Sequence, residues 1–237
     1  VKYTLHRALT LKKTTADRIV KEINGATFIA VRQGKKNTIN GVPVEKVEQD
    51  ILSSYQKIEQ LISNYWLLKK GILRANAGIS EDTPVKKVKI EGCSLGQEFT
   101  IAELIAASDE LYGNRKHGDA FLAKQLKAMK NAYLDAVNKI ERQHERVENN
   151  IRDYLAKAAT SDKGLSAEEI KQRSDMFHAD GDFSLVDPLN LKSKIDELSA
   201  QIENFRASAD ATLSEQNALT TIDVNLTGES ATETAKE

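Results

Sequence analysis

Between Leu122 and Ala158, apolar residues recur at alternating spacings of three and four. They are Leu122, Leu126, Met129, Tyr133, Ala136, Ile140, Val147, Ile151, Tyr154 and Ala158, with one polar interruption at Gln143 and His144. An α-helix turns every 3.6 residues, so this spacing holds one narrow stripe to a single side over about ten turns. The stripe predicts a helix from about Asp119 to Ala159 that packs lengthwise on other helices. Nothing in it points to a reaction.

The rest of the chain supplies partners for that helix. Val44, Val47, Ile51, Ile58, Ile62, Tyr65 and Ile72 form a second stripe, on a helix expected from Val44 to Ala75 and ended by Asn76 and Gly78. Leu191, Ile195, Leu198, Ile202, Phe205, Ala209 and Leu213 form a third, on a helix expected from Pro188 to Ala218 with Asp187 as its N-cap. A shorter, basic helix from Thr4 to Ile23 precedes them, with Gly25 expected to end it in the left-handed conformation. Thr100–Glu103 and Ser166–Glu169 have the form of capping boxes. They open helices expected over 101–112 and from 167 to about Met176. Only three prolines occur in 237 residues, so long helices meet few breaks.

Between the helices lie short β-forming stretches. Residues 26–31 and 37–42 combine strand formers with turn chemistry and predict a short hairpin or ordered loop. Val85–Ile90 is a second β-like patch, and Thr220–Val224 is expected as a short C-terminal strand. Residues 227–237 form a polar tail without pattern. The expected fold is therefore mainly α: an elongated antiparallel helical bundle or coiled coil with small β-hairpin pieces and a short C-terminal strand. Residues 1–226 form one domain in this scheme, with the stripe from Leu122 to Ala158 as its central staff between the helices at 44–72 and 191–213.

Composition narrows function. Charged residues make up 29% and the net charge is −1, so no basic excess marks a nucleic-acid binder. The basic first helix and Lys86, Lys87 and Lys89 are the residues able to meet phosphates. The acidic residues of the last helix are expected to neutralise that first helix instead. Cys93 is the single cysteine, so no intramolecular disulfide forms, and a small buried thiol is expected. No stretch reaches the roughly 20 apolar residues of a membrane span. Residues 1–7 lack the apolar core of a secretory signal, so cytoplasmic synthesis is expected.

Few clusters carry candidate chemistry. His178, Asp180 and Asp182, with Asp175 just before them, place carboxylates at alternate positions around Gly181, as a cation-binding loop does. The spacing departs from a calcium EF-hand, whose twelfth-position glutamate falls here on Leu189. The competing expectation is a plain polar turn between helices. His117, flanked by Arg115, Lys116 and Asp119, is expected in a solvated loop. His144 is expected to set register at the long stripe. No catalytic residue and no cofactor follow from any motif. Tyr65, Trp66, Leu67 and Leu68 wrap around the second helix, and one face cannot bury all four. Tyr65, Trp66 and Leu67 are therefore candidates for contact between subunits.

Several short segments also carry a family resemblance. They are Ala8-Leu9 with Arg18-Ile19, Ile72–Ala77, Thr100–Ile105 with Asp109, Val186–Leu191 through Ile195, and Thr220–Val224. In this order they resemble the septicolysin-like bacterial proteins and uncharacterised phage and prophage proteins of similar organisation. The chain departs from the bacterial family at Asn217-Ala218-Leu219, where that family tends to carry an Asn-Trp pair. The resemblance implies a helical, oligomeric protein without an established reaction, and its phage-like side implies a virion or assembly component. The expected role is thus a non-enzymatic structural or assembly protein acting as a homo-oligomer, with other virion proteins as further partners. Two alternatives stand beside it: a metal-binding protein or enzyme using the 175–182 turn, and a nucleic-acid-binding module using the first helix.

Overall fold

The computed structural model describes residues 2–79, 84–90, 93, 95–113, 120–159 and 166–221. Six α-helices follow in the order α1 (Leu5–Gly25), α2 (Val44–Asn76), α3 (Ile101–Ala107), α4 (Phe121–Ala159), α5 (Ala167–Gly181) and α6 (Leu191–Leu219). The protein is mainly α, with three small two-stranded antiparallel sheets among the described residues. At 1.5 Å per residue, the 39 residues of α4 span about 58 Å. No described helix is long and apolar enough to cross a membrane.

Local chemistry sets the helix ends. Thr4 accepts a hydrogen bond from the Arg7 amide at 3.3 Å and caps α1. Gly25 belongs to the helix, and the chain leaves through extended Ala26, so no left-handed cap forms there. The end of α2 does use one. Gly78 has φ +67°, the Ile79 amide donates to the Arg74 carbonyl at 2.9 Å, and the Gly78 amide donates to Ala75 at 3.2 Å. This pair of bonds satisfies the last carbonyls of the helix. Both capping boxes form, at Thr100/Glu103 and Ser166/Glu169. α6 starts three residues later than expected, at Leu191. Pro188 lies in a turn and the N-cap is Asn190, in the left-handed conformation, in place of the expected Asp187; Asp187 nonetheless accepts from the first helical amide, each of its carboxylate oxygens lying 2.9 Å from Leu191 N. After α3 the chain widens into a π-helical turn, Ser108–Tyr112, and leaves it at Gly113 with φ 77°.

Every residue of the α4 stripe is buried or half-buried within the single chain. Its helical partners are chiefly α5, α6 and α1, whereas α2 packs chiefly on α1. The central-staff expectation therefore holds for α6 but not for α2. Two rings link the layers, Tyr65 of α2 meeting Phe121 of α4 edge-on at 4.8 Å. Deeper in the core, Trp66, Phe99, Phe205 and Tyr112 stand in sequence, with Tyr112 stacked on Phe205 at 3.8 Å.

The β pieces are rearranged relative to expectation. β1 (Ala30–Gln33) pairs with β6 (Phe183–Val186), in the register Ala30↔Val186 to Gln33↔Phe183. It makes no hairpin with its neighbour in sequence. The local hairpin is β2 (Thr38–Ile39) with β3 (Val42–Pro43), turning through Asn40 and Gly41, both at positive φ. β4 (Val88–Lys89) pairs with β5 (Glu98–Phe99). Helix α6 ends at Leu219, and Thr220 and Thr221, the first two residues of the expected C-terminal strand, form no strand: Thr220 is the helix C-cap, its amide donating to the Gln216 carbonyl. The rest of that strand, 222–224, and the tail lie outside the described residues.

Candidate functional site

Helix α5 runs on through Gly181, so the expected polar turn at 175–182 is instead the last turns of a helix. The difference is geometric. In an extended turn, alternate residues share a side; in a helix, residues four apart do. His178 and Asp182 therefore come together, and Asp180 is carried away to an exposed position. Asp175 is likewise exposed.

Two glycines bring this helix end onto the rest of the fold. A Cβ on Gly181 would stand 2.6 Å from Val147 Cγ2 of α4, so any larger residue here would have to displace that side chain. A Cβ on Gly34 would stand 2.7 Å from the Ala179 carbonyl oxygen. Two hydrogen bonds fasten the contact: the Gly34 amide donates to the Asp182 carbonyl at 2.7 Å, and Gln143 Nε2 donates to the Gly181 carbonyl at 3.0 Å. Gln143, the polar interruption of the stripe, thus grips the end of α5.

The result is a cluster of two histidines between two carboxylates. His144 and Glu148 stand four apart on α4; His178 and Asp182 stand four apart across the end of α5. The two imidazoles stack, centroids 5.4 Å apart and 26° from parallel. Both Nδ1 atoms face Asp182, at 3.2 Å from His144 to Oδ1 and 2.8 Å from His178 to Oδ2. Both Nε2 atoms face Glu148 Oε1, at 3.3 Å for His178 and 3.9 Å for His144. One ligand atom each from His144, His178 and Asp182 lies within 4.8 Å of the others. The pairing of His144 with Glu148 was available in the sequence as a four-residue spacing; its meeting with His178 was not.

A second polar cluster ties α1, α2 and the π-helical turn together. Glu110 accepts from the Tyr65 hydroxyl at 2.5 Å and from Lys69 Nζ at 2.6 Å, with Lys12 Nζ at 3.6 Å. Burial alone would raise the Glu110 carboxyl, but the hydrogen bonds from Lys69 and Tyr65 and the charges of Lys69 and Lys12 outweigh it and hold it below the usual range. Burial, then the bond to Glu110 and its charge, push the Tyr65 phenol upward. A depressed carboxyl contributes stability above its unfolded pKa of about 4.3, lost as pH falls through the lower folded value. A raised phenol contributes stability below about 10, lost as pH rises beyond it. Glu110→Gln is therefore expected to flatten the acid limb of the stability profile. Urea midpoints of both proteins from about pH 5 downward check this; parallel curves would refute it.

This cluster also revises the charge expectation for α1. Its Lys12 pairs with Glu110, and its Glu22 pairs with Lys57 of α2 at 2.6 Å. Glu197 of α6 accepts from Ser193 and Lys194, and Glu203 from Ser199, all within that helix. Lys86 Nζ donates to Gln216 and Lys87 to Glu98. The Cys93 thiol is pushed up by burial, against a smaller opposing effect of its bond with Tyr112, and a thiol held protonated is a poor nucleophile. His117 lies outside the described residues.

The three candidate interface residues separate. Tyr65 and Trp66 are 3% and 2% exposed, so the chain itself supplies their second packing surface. Leu67 is 64% exposed. It borders an open groove of about 620 Å³ between the antiparallel α1 and α2, lined also by Tyr3, Leu5, Ala8, Gly71 and Ala75. Tyr3 and Leu5 on its rim are 45% and 43% exposed. No family model, curated protein or solved structure matches this chain.

Proposed function

We propose that this chain is a non-enzymatic structural or assembly protein that works as a homo-oligomer, joined through the groove between α1 and α2. The observation that carries the proposal is the pairing of Leu67 with Gly71. They stand one helical turn apart on the same face of α2, a large exposed apolar knob beside a hole. Nothing lies within 4 Å of a Cβ built on Gly71. Glycine inside a helix costs about 1 kcal/mol relative to alanine, and no contact among the described residues compensates that cost here. A second copy, related by a two-fold axis, would seat its Leu67 over this Gly71 and receive Leu67 in return. A net charge of −1 sets no barrier between copies. The resemblance to phage and prophage proteins supports a virion or assembly setting for such an oligomer.

Burying Leu67 is worth about 1.5–3 kcal/mol per copy. Leu67→Asp is accordingly expected to weaken self-association by at least about 100-fold and leave monomers. Its unfolding midpoint should stay close to that of the parent chain, since the side chain is exposed. Gly71→Ala should separate the two roles, raising monomer stability by up to about 1 kcal/mol while loosening the oligomer. Sedimentation velocity across a wide concentration range provides the measurement. A parent chain that stays monomeric at the highest concentration overturns the proposal.

A further inference from the structure

The geometry points to a divalent-metal site of the zinc class at His144, His178 and Asp182, with Glu148 as its orienting carboxylate, that clamps the end of α5 onto α4. This goes beyond the proposed oligomer and does not depend on it.

The donor set comes first. Two imidazole nitrogens and a carboxylate suit zinc and its neighbours; calcium and magnesium prefer oxygen alone. The atoms also converge. Both Nδ1 atoms face one carboxylate, and the three candidate ligand atoms lie within 4.8 Å of one another. Bonds of 2.0–2.1 Å in a tetrahedral shell put ligand atoms about 3.4 Å apart. The Nδ1–carboxylate distances, 3.2 and 2.8 Å, are already close to that value. The two contacts run to different oxygens of Asp182, and a turn of the exposed His144 ring and of the half-buried carboxylate would bring one oxygen and both Nδ1 atoms to a single ion.

The second argument concerns the far edge of each ring. A histidine that ligates through one nitrogen nearly always donates its other N–H to a carboxylate, carbonyl or water. Here both Nε2 atoms face the same oxygen of Glu148. Asp182 at the Nδ1 edges thus offers the ligand and Glu148 at the Nε2 edges the outer partner, 3.3 Å from His178 and 3.9 Å from His144. The i, i+4 spacing on each helix places ligand and support on one face, as in other helical metal motifs. Access is open, since the His144 side chain is 56% exposed. Three protein ligands leave solvent to complete the shell.

The third argument is what such a site would do. Helix α5 has 15 residues and none of them is buried. Its hold on the fold rests on partial contacts such as Phe177 against Tyr154, on Gly181 against Val147, and on this cluster. A metal bridging His144 of α4 to His178 and Asp182 replaces that marginal docking with a cross-link. It stabilises the folded arrangement by mass action.

The test uses the full 237-residue chain after chelator treatment. Zinc chloride alone is titrated by calorimetry, and cobalt(II) serves as an optical probe of coordination. One zinc per chain is expected, with slowed amide exchange across α5. His178→Ala, His144→Ala and Asp182→Asn should each weaken binding by more than the roughly 10- to 100-fold that loss of an outer-shell partner costs. Glu148→Gln should fall within that range, and Asp180→Asn should bind as the parent does. Circular dichroism confirms that each variant keeps its helices; His144→Ala, at the most exposed ligand, carries the test should another variant unfold. Absence of saturable zinc binding, binding unmoved by His144→Ala and His178→Ala, or preference for calcium overturns the inference.

Discussion

Phe205→Ala is expected to destabilise the protein by about 3–5 kcal/mol, the usual cost of emptying a buried phenylalanine site. Phe205 is 1% exposed and is the middle link of the aromatic series. It stacks on Tyr112 at 3.8 Å and meets Phe99 edge-on at 6.1 Å; Phe99 in turn faces Trp66. Truncation thus removes contacts to the π-helical turn and β5 at once and cuts α6 off from the ring series that leads to α2. The next residue, Arg206, donates to the carbonyls of Gly113 and Tyr112 at 2.6 and 2.9 Å, so α6 also holds the exit of the π-helical turn. These bonds limit how far the site can collapse around the lost ring, which favours the upper part of the range. For a domain with 5–15 kcal/mol in total, the loss is a large fraction. Urea unfolding should show a lower midpoint with an unchanged slope. Leu219→Ala, at a side chain 68% exposed, should stay within about 0.5 kcal/mol of the parent. Equal effects of the two substitutions would disprove the account of this core.

Arg74→Met is expected to cost about 1–3 kcal/mol or more. Glu103 is fully buried, with 0% exposure. One of its oxygens closes the capping box by accepting from the Thr100 amide at 2.9 Å; the other accepts from Arg74 Nε at 3.1 Å. Methionine keeps most of the arginine stem and removes its charge, leaving a buried carboxylate without its ion-pair partner among the described residues. Arg74 is 38% exposed and only Glu103 is buried, so the cost is that of leaving a buried charged acceptor short of one partner, about 1–3 kcal/mol or more, with the Thr100 bond surviving. The diagnostic is the background. Glu103→Gln keeps the reach-back to Thr100 and carries no charge, so Arg74→Met should cost far less there. A double-mutant cycle measures the difference as a coupling energy. A cost independent of the residue at 103 would mean that Arg74 acts through packing alone.

How far the sequence reached differs from one element to the next. The capping boxes at Thr100 and Ser166 were legible because a cap is settled within four residues. The bounds of α2 and α4 were legible because periodicity over many turns outweighs any single residue. Gly25 and Gly181 show the limit of local cues. Gly25 has the residue for a left-handed cap and does not use it. Gly181 suggested a turn and lies in a helix, because it allows α5 to touch Val147. The strand at 183–186 was hidden for a related reason: its partner is Ala30–Gln33, at least 150 residues away. Tyr65, Trp66 and Leu67 are neighbours in sequence with equal claims to an interface. Only packing against Phe121 and Phe99 removed the first two.

The sequence by itself determined that this protein is a set of long helices with short β pieces, since hydrophobic period and end-capping act over a few turns of chain. Tertiary structure alone decided which helices meet and what that brings together. His144 and His178 each have an acidic residue four places on, which any reader of the chain can see. That the two pairs stack into one cluster depends on a bare glycine backbone at Gly181 pressing against α4. Such an approach is set by the shapes of two distant surfaces, and no local rule encodes it.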